Sequence, residues 1–255
     1  MVRASPGLVW RARDGSDVVG AVRAFLRPDG RWFVWFDSCR ADAEAPLLAA
    51  VAGNTGRDLY TAADEADDDT LARLAGLGFT ISRREGNYVI PTNPLTTGLH
   101  QAEAPGEIVI ISASDAYEDQ LRLLDDALRQ DVPGTSGWAW DPGDFREETF
   151  DSPSFDPATY LVAVEPASGE YVGLVRVWNN PGRPRLGLIG VTRPYRRLGL
   201  GRALLGRAFR VLHERGKDQV TAEADDSNTA SMSLLASLGA RRTGGSVELI
   251  RRGPP

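Results

Sequence analysis

The 255-residue sequence predicts a mixed α/β fold in two domains. Strand-like and helix-like stretches alternate along the chain, a proline- and threonine-rich stretch divides it, and the halves on either side repeat one order of elements. A hydrophobic content of 42% suffices for one large core or two modest ones.

Before the divide, Val18 to Leu26 and Arg31 to Phe36 read as strands joined through Pro28-Asp29-Gly30, where proline presets φ and glycine accepts a positive one. A helical pattern follows through Pro46 to Ala52. The stretch from Pro91 to Gly106, PTNPLTTGLHQAEAPG, has no apolar periodicity and reads as an exposed linker. Beyond it, Ile108 to Ser112 reads as a strand and Tyr117 to Arg129 as a helix burying Leu121, Leu124 and Leu128. A polar helix over Pro142 to Phe150 starts at Asp141-Pro142, a good helix entry. Strands are expected at Tyr160 to Glu165, Tyr171 to Trp178 and Leu186 to Val191. The helix from Gly201 buries Leu204, Leu205, Ala208 and Leu212 and stops at Gly216. A strand at Gln219 to Ala224, a helix from Asn228 to Leu238 and a strand at Val247 to Arg251 close the chain.

The repeat pairs ADEADDDTLARLAGLGF (63–79) with EADDSNTASMSLLASLGA (223–240). Each has a short strand, an acidic run, a helix ending in Leu-Gly and a further strand, with Gly78 and Gly239 in the same place.

Composition narrows the function classes. A net charge of -6 argues against a phosphate-backbone binder, which needs a basic face to displace counterions. A lone cysteine, Cys39, excludes an internal disulfide and a cysteine metal cluster and suits a reducing compartment. With no apolar leader and no run of about 18 apolar residues, the expectation is a cytoplasmic protein without membrane partners. His100 and His213 form no metal-ligand pair by spacing, and no metal is expected.

The stretch most suited to chemistry is Arg196-Arg197-Leu198-Gly199-Leu200-Gly201-Arg202, between a strand and a helix. Glycines let the backbone approach a ligand, so the amides of Leu198 to Arg202 can converge with the positive end of the helix on a diphosphate. Arg196, Arg197 and Arg202 would add charged donors. A plain helix-starting turn would use similar glycines. No Gly-Lys-Ser/Thr triplet exists for a P-loop, and a dinucleotide fingerprint would want Gly or Ala where Leu204 stands.

Val191-x-x-x-Tyr195-Arg196-x-x-Gly199-x-Gly201 resembles the acyl-CoA-binding motif of the GCN5-related N-acetyltransferases (GNAT). One helix and one strand later, Asn228-x-x-Ser231-x-x-Leu234-x-x-x-Leu238-Gly239-Ala240 resembles that family's second motif. The resemblance implies a mostly antiparallel mixed sheet flanked by helices. It also implies an acetyl-CoA-binding domain over 107–255, a linker at 96–106 and a truncated, degenerate copy without a cofactor site over 1–95, similar to tandem-domain members such as mycothiol synthase. In that first half FVWFDSCRADAEAPLLAAV offers no paired glycines or basic pair, and Asp37, Asp42, Glu44 and Asp64 surround the corresponding region.

The resemblance assigns Ile189, Gly190 and Val191 to pantetheine, with an amide near Val191 facing the thioester oxygen. Arg197 to Arg202 would hold the diphosphate, and Asn228 would touch the cofactor arm. Glu223 stands where some members keep a general base. The usual acid tyrosine is Leu235 here, leaving Ser231, Ser233 or Tyr195 as substitutes, although a thiol titrating near ~8.5 is a tolerable leaving group unaided. Trp138, Trp140 and Phe145 among Asp141, Asp144, Glu147, Glu148 and Asp151 would suit an ammonium acceptor, or form an ordinary capped helix. The implied activity is direct acetyl transfer from acetyl-CoA to an amine of a small molecule or peptide, with a homodimer left open. An acetyl-CoA sensor that has lost the chemistry is the alternative.

Overall fold

The computed structural model describes residues 7–253; residues 1–6 and 254–255, the ends of the expected domains, lie outside them. The chain forms two compact units. One holds the residues up to Glu85 together with those from Gly244 onward, and the other is Gly86–Thr243. The sequence places boundaries at 95 and 107, whereas these compact units divide at 85/86 and 243/244.

In the first unit β1 (Leu8–Asp14), β2 (Asp17–Leu26), β3 (Trp32–Phe36) and β4 (Leu59–Asp64) lie side by side, followed by β11 (Arg241–Arg251) and the start of β5 (Thr80–Pro91). Strand β1 was not expected; its half-exposed alternation gave no apolar signal. Helices α1 (Ala41–Thr55) and α2 (Asp68–Gly76) cover one sheet face. There Leu47, Leu48, Val51 and Leu74 pack on Val22, Val34, Leu59, Val247 and Leu249.

The second unit orders the later part of β5, then β10 (Gln219–Asp225), β9 (Arg185–Val191), β8 (Glu170–Trp178), β7 (Tyr160–Glu165) and β6 (Val109–Ser112). On one face α5 (Leu200–Glu214) and α6 (Thr229–Ser237) bury Leu204, Leu205, Phe209 and Leu235. On the other, α3 (Glu118–Arg129) and α4 (Pro142–Thr149) bury Leu121, Leu124, Trp140 and Phe145. Each large apolar side chain so buried contributes roughly 1.5–3 kcal/mol.

Strands β1–β2, β2–β3, β4–β11, β6–β7, β7–β8 and β8–β9 pair antiparallel, and β3–β4 and β9–β10 pair parallel. Both parallel pairs are brief: Trp32 opposite Leu59 and Phe33 opposite Tyr60, then Arg185 opposite Thr221 and Leu186 opposite Ala222. Beyond those residues the strands part. The repeat extends to the caps, since Asp67 accepts from the Thr70 amide (3.0 Å) as Asn228 accepts from that of Ser231 (3.0 Å). Gly78 and Gly239 both hold positive φ, 87° and 69°.

The supposed linker is packed. Leu99 is fully buried under α5, where Gly206 has no side chain to obstruct it: a Cβ there would stand 3.2 Å from the Leu99 carbonyl oxygen. Thr92 bonds Asp218 and Lys217, so its prolines punctuate an ordered path and do not loosen it.

Candidate functional site

The parting of β9 from β10 leaves Ile189, Gly190 and Val191 paired with β8 alone, opposite Val175, Leu174 and Gly173. Gly190 permits close packing of α3, since a Cβ would lie 2.9 Å from Leu128. After Val191 a single turn of tighter helix (Arg193–Tyr195) leads to Arg197, the one non-glycine with positive φ (65°) among the described residues. Gly199 follows at φ 89° and starts α5.

The consequence is a run of free donors. From Arg197 to Arg202 no backbone N–H finds an acceptor among the described residues; the first bond of the helix is from Ala203 to Gly199, 3.0 Å. A helix end leaves its first amides unpaired, and the left-handed turns at 197 and 199 extend that set into the loop. No acidic side chain occupies the first turn of α5. Leu198, Gly199, Leu200, Gly201 and Arg202 thus carry backbone donors without an acceptor among the described residues.

The arginine side chains differ from expectation. Arg196 donates through Nε to the Val191 carbonyl (2.8 Å) and through Nη2 to Asp131, which also receives Arg193 (3.3 Å). The side-chain hydrogen bond from Arg196 holds the Asp131 carboxyl below the usual carboxylate range. Arg202 reaches the Gly98 carbonyl (2.8 Å) and tethers the 97–98 backbone. These two side chains are committed to protein acceptors, and Arg197 is the exposed cation beside the open amides. Sequence spacing could not reveal this, because Asp131 and Gly98 are distant in the chain.

Glu223 lies on the α3 face of β10, alternating with Val220, Ala222 and Ala224 on the α5 face. Both its oxygens are engaged by Arg185, at 3.1 and 3.0 Å from Nε and by a further short contact from Nη2. The pair is 38% exposed on each side. Arg185 was not anticipated, since only the pairing of β9 with β10, which sets it opposite Thr221, brings it within reach of Glu223. Asn228 uses its side-chain oxygen to cap α6.

Leu235 is buried in the core. Of the alternative hydroxyls, Ser233 bonds the Thr229 carbonyl (2.7 Å), whereas those of Ser231 and Tyr195 meet no acceptor among the described residues. The expected aromatic acceptor box does not form: Trp138, Trp140 and Phe145 are core residues, and Asp141 caps α4 through the Gly143 amide (2.8 Å). Beneath them Asp125, fully buried, accepts from Arg129 (2.5 Å), Arg176 (2.8 Å) and the Trp140 indole (2.9 Å). Burial alone would raise its pKa, but the two guanidinium groups and these bonds hold it below the ordinary range. Cys39 is half-buried against Gly20, and burial raises its thiol pKa. Among the described residues no three His, Cys, Asp or Glu side chains converge on a metal position, and no helix is long and apolar enough to cross a membrane.

The family model described as Acetyltransferase (GNAT) family matches residues 122–240. A mycothiol acetyltransferase of Salinispora tropica is 32% identical over 235 residues, 89% of this chain and 70% of its own length. The one of Salinispora arenicola is 37% identical over 156 residues, 58% of this chain, and the match spans only 50% of that relative. Among solved structures, a tandem GNAT protein from the clavulanic acid biosynthesis pathway superposes with a TM-score of 0.68 at 19% identity, over 99% of this chain and 86% of that one. A GCN5-related N-acetyltransferase from Sphaerobacter thermophilus gives 0.65 at 18% identity, over 94% and 79%.

Proposed function

The chain belongs to the GNAT acetyltransferase family, and from that membership we propose that it transfers acetyl from acetyl-CoA directly to an amine. The observation that carries this reading is the run of unpartnered amides from Arg197 to Arg202 at the mouth of parted strands. Those amides and the Arg197 guanidinium suit a diphosphate, which binds helix N-termini through such donors. Backbone groups of Ile189 to Val191 would hold the pantetheine, with Arg196 giving up the Val191 carbonyl, and Asn228 would offer its free amide nitrogen. The bound co-substrate supplies an activated acetyl thioester.

The chain's residues handle the rest. An ammonium acceptor passes one proton to Glu223; its nitrogen then bonds the acetyl carbon as the C–S bond breaks, sulfur keeping the electron pair, and the second proton goes to solvent. Backbone donors near Val191 would stabilise charge on the carbonyl oxygen. With Leu235 at the usual acid position, Ser231 or Tyr195 is left to meet the thiolate. That the curated relatives are named for mycothiol supports a small-molecule acceptor. The first unit takes no part in cofactor binding on this reading, since Asp42 and Glu44 stand in the first turn of α1.

Two observations favour a second reading, an acetyl-CoA sensor: Leu235 in place of tyrosine, and Glu223 gripped by Arg185. Thiol release from acetyl-CoA over an amine panel decides between them. The enzyme reading expects release that requires an amine and falls in Glu223→Gln; tight acetyl-CoA binding with no release on any amine favours the sensor.

A further inference from the structure

We infer that the acceptor is an α-amino carboxylate, whose own carboxylate takes Arg185 and thereby frees Glu223. The inference rests on the acetyltransfer reading and concerns the far end of the same cleft. Both Glu223 oxygens are bound to the Arg185 guanidinium, so an acceptor's ammonium meets that carboxylate only in competition with the arginine. An anionic group that takes the guanidinium releases the carboxylate to the ammonium and leaves neither charge without a partner.

The geometry narrows the choice. Arg185, opposite Thr221 on the paired rungs of β9 and β10, reaches diagonally to Glu223 just past the last rung, at the root of the opening. Each is 38% exposed, so a solute can reach them, and a half-exposed ion pair contributes little, so exchanging one carboxylate for another is close to even. The planar fork of arginine suits such a swap because it binds carboxylates through two parallel donors. Arg176, the neighbouring cation on this face, is buried and committed to Asp125, leaving Arg185 as the accessible docking point. Because Glu223 and Arg185 are in direct contact, the acceptor must carry its ammonium and carboxylate within a few bonds of each other. An α-amino acid fits that spacing, its two charges opposed to those of the pair.

The probes are L-amino acids and the matching α-amino amides, in which the carboxylate alone is neutralised. Thiol release with acetyl-CoA is measured for both, and binding of the acids to the protein held with CoA is followed by calorimetry. The expected result is at least tenfold higher kcat/KM for an acid than for its amide, although the amide's amine loses its proton more readily. Arg185→Gln should remove that preference through the acceptor KM and leave the acetyl-CoA KM unchanged, and Arg185→Lys should restore part of it. Glu223→Gln should lower turnover of acids yet keep the preference for acid over amide in the acceptor KM, since Arg185 remains to take the carboxylate; misfolding or simple loss of packing would not keep it. Amides turned over as well as acids, or an acid preference that survives Arg185→Gln, would overturn the inference while leaving acetyltransfer intact. Absence of release with every amine and acid overturns the underlying reading itself.

Discussion

At the scale of single residues, two positions hold their chemistry by conformation and by charge balance. Gly199 sits at φ 89° with open space where a side chain would go, so any cost of replacing it comes from the backbone. A β-branched residue at positive φ costs about 1–2 kcal/mol, and relaxing that strain would turn the amides away from their common focus. Gly199→Val is expected to lower stability by that amount and weaken acetyl-CoA binding at least tenfold, read by thermal melts and calorimetry. Asp125 balances Arg129 and Arg176 in the core beneath α3. Asp125→Asn should cost about 3–5 kcal/mol at pH 7, because a buried cation loses its partner. The sign with pH follows from a carboxyl pKa depressed on folding: the stabilisation is complete above the unfolded value of ~3.9 and fades as pH falls towards the lower folded one. Urea titrations should show a constant gap between the two proteins from pH 5 to 7 that narrows below about 4. A gap that widened in acid would contradict the assignment.

At the scale of elements, the turn into α5 and its helix were legible because everything that makes them lies between Gly199 and Gly216. Gly199 and Gly201, the apolar spacing of Leu204, Leu205 and Leu212, and the Gly216 stop are local signals, and the structure places α5 at Leu200–Glu214. The capped helices of the repeat were legible for the same reason. What stayed hidden depends on distant partners. Leu99 looked like part of a linker because its burial comes from α5, and Arg185 carried no signal until the register of β9 and β10 set it against Glu223. Arg196 and Arg202 looked like phosphate ligands for want of Asp131 and Gly98. The path of β5 leads to a prediction about boundaries. Its later residues Tyr88 and Ile90, with Leu99, belong to the core that also holds Leu204, Leu205 and Val220. A chain beginning at residue 107 lacks all three and leaves β10 without its β5 neighbour. We expect it to lose the cooperative melt seen in the full chain, whereas 86–243 should retain far more structure by circular dichroism. Equal melts for the two fragments would contradict this account of the unit.

At the scale of the whole molecule, the same succession of strands and helices occurs twice, yet the two copies differ where an anion would bind. In the first copy β3 and β4 part as β9 and β10 do, but the helix that follows starts at Arg40 in ordinary extended backbone, with acids in its first turn. In the second, the helix starts from a left-handed glycine with no acid nearby. The two helix starts therefore differ in how they would receive an anion, and on the proposed reading only the second is a site. With a net charge of -6, a polyanionic co-substrate would depend on such local donors. Titration calorimetry of acetyl-CoA into the intact chain tests this most directly. Uptake of one molecule per chain is the predicted result; no uptake by the folded protein, or uptake of two, would contradict it.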